Sequence, residues 1–292
     1  MELTAVNRQS NFSKGYTYKE FEYKTPIEIS EGSKIKHQVV IIGAGPIGLT
    51  LAIDLAQRGV KSVVLDDNNI VSTGSRAICW AKKTLEIFNR IGISEKIIDK
   101  GITWEVGRLF NGDDEVYSFN LLPEKGHKFP AFVNLQQYYV EEFLIEKCSE
   151  LSNFIDLRFS NEVVDHVQEP NCVELSVRCP EGLYKMDCKY LVACDGADSP
   201  TRKRMGLSFE GEIFDEHFLI VDIHMEQPPF EGVSPERWFW FAPTFHEGQS
   251  ALLHKQADNI YRIDLQLGEE VNKEKELDEK TVRKRIRKIL GI

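Results

Sequence analysis

Three glycines and one acid carry the first recognisable chemistry in this chain. Gly43, Gly45 and Gly48 follow the apolar run Val39-Val40-Ile41-Ile42, and Asp66 ends a second run, Ser62-Val63-Val64-Leu65, 18 residues after Gly48. At this spacing Gly43 permits a tight turn, Gly45 lets the backbone approach a pyrophosphate, and Gly48 lets a helix pack closely on the strand. Amides at the helix start then face an anion, and the Asp66 carboxylate is placed to accept hydrogen bonds from ribose hydroxyls. The chemistry is dinucleotide binding. A second constellation runs from Tyr190-Leu191-Val192-Ala193-Cys194 into Asp195-Gly196-Ala197-Asp198-Ser199-Pro200-Thr201-Arg202, a buried strand entering an Asp-Gly loop with Asp195 at its carboxyl end. His217, His224, His246 and His254 are candidate proton handlers by residue type alone. None has a metal-binding spacing such as HExxH, so no metal site is expected and no catalytic base is named. The run Trp238-Phe239-Trp240-Phe241 could face a pocket, although sheet packing is the commoner use of such a stripe.

These residues need a scaffold. From Val39 to Asp66 the order is strand, turn, helix, strand. Residues 1–36 read as a polar extension, with Pro26 and Ser30-Glu31-Gly32-Ser33 leading into the first strand. After a polar loop over 67–74, a helix is expected to start at Arg76 and carry Leu85, Phe88 and Ile91 on one face before stopping at Gly92. Trp104–Phe110 and Glu115–Phe119 bracket Asn111-Gly112, a hairpin signal. A helix is expected over 135–151, with strands near 155–159, 163–168, 173–178 and 190–194. Residues 208–267 alternate aromatic and aliphatic residues with polar ones, which predicts a mainly antiparallel sheet. The tail over 278–290 puts Val282, Ile286, Ile289 and Leu290 on one helical face, with Gly291 as its cap. The basic residues between them read as a solvated face.

The 292 residues are enough to bury a large core. A net charge of −10 argues against attraction to nucleic acid or to an anionic membrane surface. The longest apolar segment, Val39 to Ile53, is broken by glycine and proline and is too short to span a bilayer. Residues 1–36 lack a signal-type apolar core, so a cytoplasmic location is expected. The six cysteines show no CxxC spacing and read as mostly buried thiols.

Taken together, the glycine turn and the Asp195-Gly196 loop resemble the FAD-dependent aromatic hydroxylases of the para-hydroxybenzoate, phenol and hydroxyphenylpropionate type, which are flavoprotein monooxygenases. Gly74-Ser75-Arg76-Ala77-Ile78 is similar to that family's arginine loop, and Gln137-Tyr138-Tyr139-Val140-Glu141 to its flavin-contacting glutamine helix. Ser250–Gln256 and Tyr261–Asp264 are similar to its sheet segments. The resemblance implies an α/β fold: a Rossmann-like FAD-binding domain over 37–207, with an inserted, mainly antiparallel β-sheet substrate domain over 208–268. The hairpin 104–119 would join that sheet, and a terminal helix would occupy 269–292.

It further implies that Gly43, Gly45, Pro46 and Gly48 line the FAD diphosphate and that Asp66 meets the adenosine ribose. Arg76 would add a cation beside the phosphates, its alternative being a solvated loop arginine. Gln137 would reach the flavin side, or be a helix-surface amide. Asp195 would hold the ribityl-diphosphate region. The implied activity is hydroxylation of a phenolic small molecule with dioxygen, with NADH or NADPH as transient reductant, and a homodimer is compatible with it. The family's third motif, a strand leading into Gly-Asp, is not found, because Gly112-Asp113 falls in the hairpin turn. The expectation is a C-terminally truncated hydroxylase. A non-catalytic nucleotide-binding protein and a flavin oxidoreductase without oxygenation stay open.

Overall fold

The apolar runs form two large sheets with a small one between them. The computed structural model describes residues 12–13, 16–212, 214, 216–225, 234–246, 248–268 and 271–290. Residues 1–11 and 14–15 of the extension, and the Gly291 cap, lie outside the described residues.

The first sheet has six strands in the order Ile155–Arg158, Ser62–Leu65, Lys36–Ile42, Gly182–Ala193, Cys172–Cys179, Glu162–Glu169. Its first four strands are parallel and the last two antiparallel. Val40, Ile41, Val64 and Leu65 have no exposed surface, as expected of strands covered on both faces. Helices Pro46–Gln57 and Gln137–Glu150 pack against each other on one face. The described part of the N-terminal segment lies over this unit and joins its core through Tyr16, Tyr18 and Phe21. Its short helix brings Glu28 to a buried ion pair with Arg158 at 2.8 Å.

The second sheet also has six strands, in the order His217–His224, Ile260–Gly268, Ser250–Lys255, Arg237–Phe241, Val106–Asn111, Asp114–Asn120. Every pairing is antiparallel except that of Arg237–Phe241 with Val106–Asn111. The hairpin strands thus form one edge of this sheet, with Gly112 turning at φ +62°. Asp113 in that turn accepts from the Thr244 hydroxyl at 2.8 Å. One sheet face buries Trp240, Leu253, Ile263 and Leu265 against Ile286 of the helix Glu279–Leu290. Of the basic residues of that helix, Lys284, Arg287 and Lys288 are exposed, while Arg283 pairs with Glu279 and the part-buried Arg285 with Glu276 at 2.7 Å.

Between the two sheets lies a three-stranded one, Cys79–Ala81, Phe132–Asn134 and Ile102–Thr103. It corrects the helix expected from Arg76: residues 79–81 are strand, and the helix runs from Lys82 to Arg90. Pairing with Phe132–Asn134 wins here, reinforced by Trp80 Nε1 donating to the Leu135 carbonyl at 2.8 Å. Helical spacing had no access to that distant partner.

Candidate active site

The glycine turn is shaped by backbone contacts. Gly43 has φ +101°, a conformation that only glycine adopts without strain. A side chain there would also come within 2.5 Å of the Cys194 carbonyl oxygen. A side chain at Gly48 would overlap the Gly43 carbonyl oxygen. Gly45 differs: a Cβ there would meet nothing within 4 Å. Gly45 is the N-cap of the helix Pro46–Gln57, no side chain caps that end, and Pro46 opens its first turn. A 12-residue helix therefore presents uncapped first-turn amides to open space, which fits a diphosphate.

Asp66 closes the second strand beside this turn. Its Oδ2 accepts from the Ala44 amide at 2.6 Å and its Oδ1 from the Asn68 amide at 2.9 Å. Each oxygen keeps lone-pair capacity for a ribose hydroxyl. Burial pushes its carboxyl above the ordinary value, opposed by the amide of Ala44. Asp195 is brought to the same sheet end, because Ala193 pairs with Ile42 and the Cys194 amide donates to the Ile42 carbonyl at 2.7 Å. Both its carboxylate oxygens serve its own loop, accepting from the Ser199 hydroxyl at 2.6 Å and from the Thr201 amide at 3.1 Å. Asp195 therefore shapes the loop beside Gly43.

Loop 67–78 is held from three directions. From the long helix, Glu141 accepts from the Ser72 amide at 2.6 Å and from its hydroxyl at 2.5 Å, while Gln137 Nε2 donates to Glu141 at 2.7 Å. From the N-terminal segment, the Phe21 amide donates to the Asn69 carbonyl at 2.7 Å and Tyr18 Oη accepts from the Gly74 amide at 3.3 Å. From the second sheet, Arg262 Nη1 donates to the Arg76 carbonyl at 2.6 Å. The Arg76 side chain itself is exposed and makes no ion pair among the described residues. Gln137 is thus part of the loop's anchor, close to Ser72, and not a plain surface amide.

The second sheet carries a constellation that sequence reasoning met only as His254. Its register sets Asp222, Arg262, His254 and Arg237 side by side across four strands. Arg262 grips Asp222 through two hydrogen bonds of 2.8 and 3.0 Å. Arg237 lies over the rings of Trp104 and Phe239, at 5.6 and 5.1 Å, and donates to Cys79 Sγ at 3.5 Å. His254 is 2% exposed. Burial, reinforced by the cations of Arg237 and Arg262, pushes it down to about 3, so it is neutral at neutral pH. His246 instead binds the Gln266 carbonyl, and His217 is exposed.

The neighbouring row on the same face is Ile220, Asp264, Leu252 and Phe239. It floors a concavity of about 360 Å³ that Phe218 and Phe241 extend outward. Of the aromatic run, Trp240 belongs to the core and also borders the concavity, which Phe239 and Phe241 line. Asp264 sits among these apolar neighbours, and burial pushes it up to about 6 against the pull of Arg262. The signal available in the sequence was the alternation of charge with aliphatic residues in Tyr261-Arg262-Ile263-Asp264, a buried strand with one polar face.

A family model described as FAD binding domain matches residues 36–292. The chain belongs to the FAD-binding domain family. FAD is therefore the cofactor, and the open, uncapped end of the helix Pro46–Gln57 fits its diphosphate. Among curated relatives of this FAD-binding chain, a flavin-dependent monooxygenase of Mycobacteroides abscessus is 32% identical over 197 residues, 64% of this chain and 41% of that protein. A para-nitrophenol 4-monooxygenase of a Pseudomonas species is 27% identical over 188 residues, 63% of this chain and 46% of that protein. The chain spans less than half the length of these relatives. The fold is shared with the crystal structure of p-nitrophenol 4-monooxygenase PnpA from Pseudomonas putida, at TM-score 0.73 and 23% identity over 87% of this chain and 62% of that one. It is shared too with the flavin-dependent monooxygenase PieE solved with FAD and substrate, at TM-score 0.74 and 19% identity over 88% of this chain and 47% of that one. These likenesses bear out the α/β, Rossmann-like architecture with an added sheet.

Among the described residues no helix is long and apolar enough to cross a membrane, and no cluster of His, Cys, Asp and Glu could hold a metal ion.

Proposed function

We propose that this chain is the FAD- and substrate-binding part of an NAD(P)H-consuming monooxygenase that hydroxylates an aromatic small molecule. The observation that carries this reading is the 2.6 Å hydrogen bond from Arg262 to the Arg76 carbonyl. It fastens the cofactor-side loop to the sheet whose next row floors the apolar concavity. When bound, FAD supplies the redox chemistry that couples the nicotinamide reductant to dioxygen.

The residues of this chain do the rest. First-turn amides of the helix Pro46–Gln57 hold the diphosphate, Asp66 holds the adenosine ribose, and the exposed Arg76 offers a cation to the phosphates. Phe239, Phe241, Leu252 and Ile220 present apolar surface to an aromatic ring. Asp195 keeps the Asp-Gly loop folded against Gly43. The same reading places the chain in the cytoplasm, in keeping with its six free cysteines.

Titration of the purified chain with FAD, followed by flavin absorption and fluorescence, tests the cofactor half. Uptake is expected; no uptake at any concentration sinks the reading. Substrate-stimulated oxidation of NADH or NADPH with formation of a hydroxylated product, measured on the longest form of the protein, tests the activity half.

A further inference from the structure

Asp264 is an acid in a place built for hydrocarbon. Its cross-strand neighbours are Ile220 on one side and Leu252 on the other, with Phe239 beyond. Oδ1 is buried and has no hydrogen-bond partner, while Oδ2 lies 3.8 Å from His254 Nε2, beyond hydrogen-bonding range. His254 Nε2 is likewise buried and unpartnered. Buried polar atoms without partners are rare, because each costs about 1–3 kcal/mol.

The surroundings define what could satisfy it. Facing Asp264 are His254 on the strand Ser250–Lys255, Arg237 on Arg237–Phe241, Asp222 on His217–His224 and, on its own strand, Arg262. Arg262 is committed to Asp222 and the Arg76 carbonyl. Arg237 lies over two aromatic rings and does not line the concavity. The other polar side chain in the lining, Ser250, donates to Gln266 at 2.7 Å. Asp264 is the one ionisable group in the lining among the described residues.

We infer that Asp264 is a specificity-determining residue, which selects an uncharged aromatic ligand bearing a hydroxyl donor and rejects an aromatic carboxylate. The inference rests on the reading of the concavity as the substrate site. The ring lies on Phe239, Leu252 and Ile220, and its hydroxyl donates to Oδ2, the carboxylate oxygen that is not sealed off. Hydrogen bonds to ionised groups are the strong ones. A ligand carboxylate would instead set two like charges side by side over apolar side chains.

The test is a ligand-observed NMR titration of the chain with phenol, toluene and benzoate at pH 7.5, repeated on Asp264→Asn and Asp264→Leu. In the wild type, phenol is expected to bind about tenfold or more tighter than toluene, with benzoate weakest. In Asp264→Leu that preference should vanish and toluene should bind at least as well as phenol. Asp264→Asn keeps the shape without the charge, so it should narrow the gap between phenol and benzoate. Benzoate binding as tightly as phenol to the wild type overturns the inference, as does an unchanged phenol preference in Asp264→Leu. Should Asp264→Leu fail to fold, the Asn variant decides: an unchanged phenol-to-benzoate ratio overturns it. FAD titration of the same samples separates the two readings. FAD uptake without phenol preference refutes only the role of Asp264, whereas phenol preference without FAD uptake refutes the proposed function.

Discussion

At the end of the first sheet the site is made of backbone, while on the second sheet it is made of side chains set by register. The glycine turn owes its shape to Gly43 and Gly48, whose missing side chains let the strand, the helix and the Cys194 carbonyl close together. Its acids are satisfied at home, Asp66 by two amides and Asp195 by Ser199 and Thr201. The concavity is different: Asp264 lines it and keeps one carboxylate oxygen that no neighbour completes, as does the buried Nε2 of His254 beside it. A turn fixed by steric closeness and internal hydrogen bonds can bind a ligand without depending on it for its shape. The other region keeps polar groups unsatisfied, the condition in which a bound molecule is selected by what it completes.

The sharpest way to break this contrast is on the backbone side. Gly48→Ala places a methyl group against the Gly43 carbonyl, and neither backbone can move without separating helix from strand. A loss of about 3 kcal/mol or more is expected, with FAD binding lost alongside it. Denaturant unfolding and FAD titration of the variant would show this. Wild-type stability in that variant would mean that the turn is looser than its geometry, and the contrast would fail.

The side-chain region should respond in the opposite sense. Asp264 holds its proton up to about pH 6 in the folded chain, against an ordinary value of 3.8. The folded state thus binds the proton more tightly than the unfolded one. The stability this gives is full below the ordinary value and is lost as pH rises through about 6. At pH 8 the wild type carries the full penalty, so Asp264→Asn should be more stable by up to about 3 kcal/mol, falling to about half of that at pH 5. Unfolding midpoints at the two pH values check it. A destabilised Asn variant at pH 8 would show that Asp264 is already satisfied and that the two regions do not differ in this way.

The same contrast explains what could be read before the structure. Local signals survived: the glycine turn, the Asn111-Gly112 hairpin, the helix before Glu150 and the strand entering Asp195 are each set by residues within a few positions of one another. The helix expected from Arg76 failed at Cys79–Ala81, because its decisive partner, Phe132–Asn134, lies some fifty positions away. The row Asp222, Arg262, His254 and Arg237 was illegible for a stronger version of that reason. Four strands must take one register before these side chains share a face, and a slip of one residue would send all of a strand's side chains to the other face. Asp264 became visible only with that register. Asp195 was legible as a motif, but the destination of its carboxylate depended on the fold of Ser199–Thr201.

Gly45→Ala carries the smallest expected effect on folding and the cleanest separation of shape from binding. Gly45 has φ −76°, a value any residue adopts, and a Cβ there meets nothing within 4 Å. The substitution should therefore leave stability within about 0.5 kcal/mol of wild type. That same empty space lies before the uncapped end of the helix Pro46–Gln57, where the diphosphate is proposed to sit. A methyl group there would hold the phosphates away from the first-turn amides, so FAD affinity should fall about tenfold or more while the unfolding midpoint stays put. Gly48→Ala cannot make this distinction, because it damages turn and ligand site at once. Equal FAD affinity in Gly45→Ala and wild type would move the diphosphate away from this helix end, and with it the assignment of the backbone-built region as the cofactor's cradle.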